Sequence, residues 1–130
     1  MSNPIELALR NARQKRNEGE ESEAERLYAE AEGLARVEGD EMALAHALRH
    51  LSDLARARGD VAKAWRDSSE AASLYRKSGD QLGLANSMRL QGLSAPDPEE
   101  ARARWEEARR LYSSLGVDAG VAECDSRLKA

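Results

Sequence analysis

Residues 59–85 read GDVAKAWRDSSEAASLYRKSGDQLGLA, and this stretch contains the pattern that decides the fold. It begins with Gly59-Asp60, and a second such pair, Gly79-Asp80, comes near its end. Gly can end a helix in a left-handed conformation, and a following Asp can cap the free N–H groups of the next helix. The residues between the pairs are mostly strong helix formers. The stretch therefore predicts a helix, a very short turn and the start of a second, antiparallel helix.

The same pattern occurs three times in the chain. A shift of 40 residues superposes residues 19–45 on 59–85, and a further shift of 37 leads to residues 96–122. The third unit has lost about one helical turn around residues 93–97, and the matching positions are of turn and core type. A single helix pair cannot bury its apolar stripe alone. The repeat therefore predicts successive pairs that stack into one continuous core.

The composition and the turn residues together predict an all-α protein with one domain over residues 1–130. Phe is absent and aromatic residues make up only 4% of the chain, whereas Ala, Leu, Glu and Arg dominate every segment. Asp125 and Arg127 stand where the preceding unit has Met88 and Leu90, which indicates a final capping helix. The seven expected helices lie near 4–17, 20–37, 41–57, 61–77, 81–93, 98–114 and 118–128.

The charge balance and the apolar runs indicate a soluble cytoplasmic protein. The chain is 34% charged with a formal net charge of -4, and its apolar runs are far shorter than the roughly 18 residues of a membrane span. Its first residues lack the apolar core of a secretion signal. Cys124 is the only cysteine, so an intrachain disulfide is impossible, which fits a reducing compartment.

A recurring spacing links the second helix of each pair to a known family. A Gly is followed by a small residue, by a bulky residue four positions later and by Ala three positions after that. With these features the chain resembles the tetratricopeptide repeat (TPR) family, as a long-helix variant, since the family's common period is about 34 residues. The spacing is carried by Gly19, Ala24, Tyr28 and Ala31; by Pro96, Ala101, Trp105 and Ala108; and, with Ser in place of the bulky residue, by Gly59, Ala64, Ser68 and Ala71.

The resemblance implies a right-handed α-solenoid of about three TPR-like helix pairs plus a C-terminal capping helix. In such stacks the small residues lie at tight helix crossings, and the first helices of the pairs line a concave surface. Ala24, Ala64 and Ala101 are therefore expected at crossings, and Lys63 is expected to be exposed. The aromatic residues, spaced as in helix cores, are interpreted as core residues rather than as platforms for stacked bases.

A predominantly basic strip is expected on that concave surface. Leu44, Leu48 and Leu51 form an apolar stripe on the third helix, so polar residues fall on its opposite side. Such a strip is usually a solvated helix face. The alternative is a groove for an acidic or carboxylate-ended segment, because Arg binds carboxylates with a planar fork. The predicted groove residues are Arg13, His46, Arg49, His50, Asp53, Arg56, Asn86 and Arg89, with Arg16 on the same side.

His46 and His50 allow two further interpretations, a zinc site and an effect of pH on binding. His46 and His50 are four residues apart, a spacing that can serve zinc, but no third ligand is evident beyond Asp53 and Arg49 lies between them. If both rings remained solvated, their protonation below about pH 6.5 would strengthen binding of an acidic partner. We predict no metal site and no cofactor.

The sequence favours a non-catalytic protein–protein interaction module, an adaptor or scaffold that binds an acidic peptide or protein segment in the basic groove. No nucleophile has an oriented His and carboxylate set, and neither nucleic acid nor a membrane is expected as partner. One alternative is the peptide-sensing part of a regulatory system. Another is a homo-oligomer that pairs through an exposed end of the stack, where the first helix would present Ile5, Leu7 and Leu9.

Overall fold

The computed structural model describes residues 3–130, which form seven α-helices and contain no strand. Each boundary lies within one residue of the position expected from the turn residues, so the all-α prediction is confirmed. The helices are α1 (Pro4–Asn17), α2 (Glu21–Glu38), α3 (Glu41–Ala57), α4 (Val61–Ser78), α5 (Gln81–Ser94), α6 (Pro98–Leu115) and α7 (Asp118–Lys129).

The Gly-Asp pairs form the joints between helices as predicted. Gly39 and Gly79 are left-handed, with φ of 73° and 81°, and each ends a helix. The carboxylate of Asp40 accepts a hydrogen bond from the amide of Ala43 at 3.1 Å, and Asp80 caps α5 in the same way. Because each joint is so short, neighbouring helices run antiparallel.

The helices pack in chain order. Each helix contacts mainly the next one, and α3 also touches α5. Within residues 3–130 there is no extensive contact between α1 and α7. The first helix and the last therefore do not close the structure into a bundle.

The crossing of α3 and α4 is tight because Ala64 lies in it. Ser52 of α3 and Ser68 of α4 each donate a side-chain hydrogen bond to the carbonyl of Ala64, both at 2.7 Å. Ala24 and Ala64 are completely buried, whereas Ala101 is half-buried. The expectation of a close helix approach is thus supported at Ala64, while Ala24 is buried as expected and Ala101 is only partly buried.

Aromatic rings fill the core, and two of them pack on glycines that occupy equivalent positions in the repeat. A Cβ atom at Gly83 would overlap the ring of Tyr75, and one at Gly120 would overlap the ring of Tyr112. The 37-residue shift relates the second contact to the first. Four of the five aromatic residues, all except Trp65, are buried, which confirms their interpretation as core residues.

Ion pairs connect successive even-numbered helices. Arg36 of α2 binds Glu70 of α4 at 2.8 Å, and Arg76 of α4 binds Glu107 of α6 at 2.9 Å. The repeat relates these two pairs, since the same shifts of 40 and 37 superpose them. Most of these side chains are well exposed, so each pair contributes at most about 1 kcal/mol.

Two expectations about exposure were wrong. Lys63 is half-buried rather than exposed, because its Nζ lies 2.5 Å from the carboxylate of Asp67, which is itself buried. Ile5 is buried in the core, and Leu9 is partly buried against it, so only Leu7 of the expected apolar end is exposed. The apolar end that was expected to support oligomerisation is therefore largely covered.

Ala64→Leu should lower the free energy of unfolding by about 1 to 3 kcal/mol, because the added atoms have no room between α3 and α4. The matched control is Ala62→Leu, an exposed position on the same helix that should change stability by less than about 0.5 kcal/mol. Chemical denaturation followed by circular dichroism measures both values. Equal midpoints for the two variants would contradict the tight crossing.

Gly33→Ala and Gly83→Ala should change the stability of the protein in opposite directions. Gly33 lies exposed within α2 with open space around it, so Gly33→Ala should stabilise the protein by about 0.5 to 1 kcal/mol through helix propensity. Gly83→Ala should destabilise it by about 1 to 3 kcal/mol because the methyl group meets Tyr75. Thermal melting of both variants gives the signs directly, and a stabilised Gly83→Ala variant would show that the ring moves aside freely.

Candidate functional site

A pocket of about 330 Å³ opens on the face formed by the odd-numbered helices. We call this surface the odd-helix face; it comprises the exposed sides of α1, α3, α5 and α7. The pocket has basic walls and a partly apolar floor. Its lining residues are Arg16, Arg49, His50, Asp53, Asn86, Arg89, Leu90, Tyr112, Val117, Ala119 and Glu123.

A polar cluster at one end of the pocket connects α1 to α3. Arg16 donates one hydrogen bond to Nδ1 of His50 at 2.8 Å and a second to the carboxylate of Asp53. Arg56 donates to the other oxygen of Asp53 at 2.9 Å. Burial alone would raise the pKa of Asp53, but the hydrogen bonds from Arg56 and Arg16 outweigh it, so this pKa lies below its ordinary value. One carboxylate thus serves two guanidinium groups, so the cluster keeps one net positive charge.

His50 is held as a neutral ring. Its plane is stacked on that of Tyr28, with ring centroids 4.7 Å apart and an angle of 3° between the planes. Because a guanidinium can only donate, Nδ1 of His50 must accept from Arg16, and the ring proton is then on Nε2. Burial first, and then the positive charge of Arg49, lower the pKa of His50 to about 3.

The predicted pH effect on binding does not apply, because neither histidine is fully solvated. The edge of the His46 ring contacts His50, with centroids 4.7 Å apart. Burial, followed by the charges of Arg49 and Arg13, lowers the pKa of His46. His50 therefore remains uncharged just below pH 6.5, and His46 takes up its proton at a lower pH than a solvated histidine would.

At the other end of the pocket, α7 supplies a carboxylate. Nε of Arg89 donates to Oε1 of Glu123 at 2.6 Å, and this bond raises the pKa of Arg89. Beside it, the hydroxyl of Tyr112 donates to Oδ1 of Asn86 at 2.6 Å. Burial raises the pKa of Tyr112 to about 12, so this hydroxyl keeps its proton and remains a donor.

Arg49 is the cation of the pocket without an ionic partner. No carboxylate of residues 3–130 lies within ion-pair distance of Arg49 or of Arg13. Nε of Arg49 is buried and has no hydrogen-bond partner in the described part of the chain. The buried Nε atoms of Arg56 and Arg104 also lack a partner although both arginines are in ion pairs. It is therefore the missing carboxylate that makes Arg49 the group in the pocket best placed to gain from an added anion.

The structure brings together most of the residues expected in the groove. Arg49, His50, Asp53, Asn86 and Arg89 line the pocket. Arg56 contacts Asp53, and His46 contacts His50, but neither lines the pocket, while Arg13 is exposed beyond it. Sequence reasoning missed two polar lining residues, Tyr112 and Glu123. The repeat contained the signal for Glu123, since the 37-residue shift places it on Asn86.

Several of the side chains with nucleophilic chemistry are already engaged or buried in the fold. Ser52 and Ser68 donate to a backbone carbonyl, and burial raises the pKa of the Cys124 thiol. Among residues 3–130 no group of three or more His, Cys, Asp and Glu side chains is arranged to hold a metal ion. Arg16 binds Nδ1 of His50 and one oxygen of Asp53, and Arg56 binds the other oxygen, so these three atoms are already engaged within the fold.

The chain has no match among known families and curated proteins, and its described helices include no membrane span. No protein-family model matches the chain, and no curated protein matches it. In the described residues, none of the seven helices combines the length and the apolar character needed to cross a bilayer.

Acid should destabilise the fold in the range where histidine titrates. Between about pH 6.5 and pH 5 the unfolded histidines take up protons, whereas folded His50, with a pKa of about 3, does not. The unfolded state then binds more protons, so the free energy of unfolding falls as pH falls, by up to about 1.4 kcal/mol per pH unit for each such histidine. His50→Gln should reduce this slope, which denaturation at several pH values measures.

The pH dependence of the free energy of unfolding tests whether folded His50 is neutral. The absolute stability does not, because His50→Gln also removes the stacking on Tyr28. The carboxylates titrate mainly below pH 5, so between about pH 6.5 and pH 5 the pH dependence comes mainly from the histidines. An unchanged slope in His50→Gln would mean that His50 takes up its proton in the folded protein.

Proposed function

We propose that this chain is a non-catalytic protein–protein interaction module whose odd-helix face binds an acidic peptide or protein segment. The fold in this proposal is a right-handed TPR-like solenoid of three helix pairs, α1–α2, α3–α4 and α5–α6, with α7 as the cap. The 40- and 37-residue shifts and the packing of helices in chain order support it. In a TPR-like stack the odd-numbered helices are the first helices of the pairs, so the odd-helix face is the concave one.

The proposal rests on a difference between the two faces in how their arginines are paired with carboxylates. On the even-numbered helices, Arg36 and Arg76 each bind a carboxylate of the next even helix, so their charge is used within the fold. On the odd-helix face, Arg49 lines a pocket and has no carboxylate partner in the described chain. A partly buried guanidinium in a concave site is well suited to a carboxylate supplied by another molecule.

The segment is expected to carry its acidic residues opposite Arg49 and Arg13. The other arginines of the face each have an internal carboxylate partner, since Arg89 binds Glu123 while Arg16 and Arg56 share the single carboxylate of Asp53. We therefore expect one or two acidic side chains of the partner to contribute most of the electrostatic attraction. The engaged serines and the buried thiol fit a binding role better than a catalytic one, and the lone cysteine is consistent with a cytoplasmic location.

Selection from a displayed library of random peptides tests the proposal and requires no identified partner. The wild-type protein should enrich peptides that contain Asp and Glu, and Arg49→Glu should abolish this enrichment. The matched control is Arg110→Glu, which makes the same charge change at an exposed position of α6. A selected peptide should bind more weakly as salt rises, because exposed charges are screened within about 8 Å at physiological ionic strength.

Two results would contradict this function. One is a wild-type selection without acidic enrichment. The other is equal enrichment by Arg49→Glu and Arg110→Glu, which would assign the attraction to overall charge or to another surface. Circular dichroism of both variants confirms that the comparison is between folded proteins.

A further inference from the structure

The repeat relates Arg49 to Arg89 and Asn86 to Glu123. Arg49 and Arg89 are 40 residues apart and occupy the same position in α3 and α5. Asn86 and Glu123 are related by the 37-residue shift and occupy the same position in α5 and α7. Each arginine thus has, on the next odd-numbered helix, a residue at the same repeat position. For Arg89 that residue is a carboxylate, and for Arg49 it is an amide.

The carboxylate binds its arginine within the fold. Glu123 accepts from Nε of Arg89 at 2.6 Å, and its second oxygen lies 3.7 Å from Nη2 of Arg127. The side chains of Arg89 and Glu123 are only 34% and 29% exposed, so the pair is partly shielded from water. Asn86 cannot provide a negative charge, and its oxygen already accepts from Tyr112. Arg49 accordingly has no carboxylate partner in the described chain.

We propose that the odd-helix face contains two equivalent arginine sites for carboxylates, of which Glu123 closes the one at Arg89 while Asn86 leaves the one at Arg49 open to an acidic side chain of the partner. This inference rests on the proposed function and specifies which residues determine it. Asn86 and Glu123 are specificity-determining positions, and the contact between Glu123 and Arg89 shows the kind of contact that a partner's carboxylate makes at Arg49.

Two separate substitutions, Asn86→Glu and Glu123→Gln, should therefore change the affinity for an acidic segment in opposite directions. Asn86→Glu supplies an internal carboxylate beside Arg49 and closes the open site. Glu123→Gln removes the internal carboxylate from Arg89 and opens a second site. For a partly exposed, hydrogen-bonded ion pair the expected change in affinity is roughly threefold to tenfold in each direction.

The experiment uses a fluorescein-labelled oligo-glutamate peptide as the probe and fluorescence anisotropy at low salt as the measurement. Asn86→Glu should weaken binding to the level of Arg49→Gln. Asn86→Gln, which has the same length without the charge, should bind more tightly than Asn86→Glu, so the difference between the two variants isolates the effect of the charge. Glu123→Gln should bind more tightly than wild type. Its matched control is Glu107→Gln, which breaks the ion pair with Arg76 on the even-numbered helices and changes net charge equally.

The outcomes separate this inference from the proposed function. Equal binding by Asn86→Glu and Asn86→Gln, or equal binding by Glu123→Gln and Glu107→Gln, overturns the assignment of the two sites. If binding is lost in Arg49→Gln while the variants of Asn86 and Glu123 show no effect, the proposed function stands and this inference is wrong. If wild type and Arg49→Gln bind the peptide equally, or neither binds it, both are wrong.

Discussion

Left-handed glycines followed by capping side chains impose the constraint on which the rest of the structure depends. At Gly39-Asp40 and Gly79-Asp80 one residue ends a helix and the next begins another, so the chain reverses with almost no loop. Such short joints leave little freedom in the relative positions of neighbouring helices. Equivalent residues of successive units therefore recur at equivalent places, and a motif repeated in the sequence becomes a row of side chains in space.

Close packing turns this regularity into a stable core. Because a small residue lies where α3 and α4 cross, the side chain of Ser52 can reach the backbone carbonyl of Ala64. The rings of Tyr75 and Tyr112 pack on the glycines of the following helix for the same reason. Large rings and small residues are complementary at these crossings, which allows a chain without Phe to form a continuous core.

The distribution of charge then distinguishes the two faces of the stack. Arg36 and Arg76 of the even-numbered helices are each matched by a glutamate of the next even-numbered helix, which stabilises the packing modestly. On the odd-helix face the matching is incomplete, because Asn86 stands at the position where α7 has Glu123. An imperfect repeat in an otherwise regular structure is thus the feature from which both the binding role and its specificity are proposed.

The sequence by itself determined the local structure and the set of basic residues on one face. Helix bounds, turns and buried stripes follow from interactions between residues close in the chain, such as the cap of Asp40 on Ala43. The resemblance to TPR proteins adds handedness and pairing, which stay predictions. Only the tertiary structure decided which arginines have a carboxylate partner, that His50 is uncharged and that Lys63 is half-buried beside Asp67. His50 and Glu123 meet arginines that are each 34 residues away in the chain, and the strength of such contacts depends on burial that no local pattern specifies.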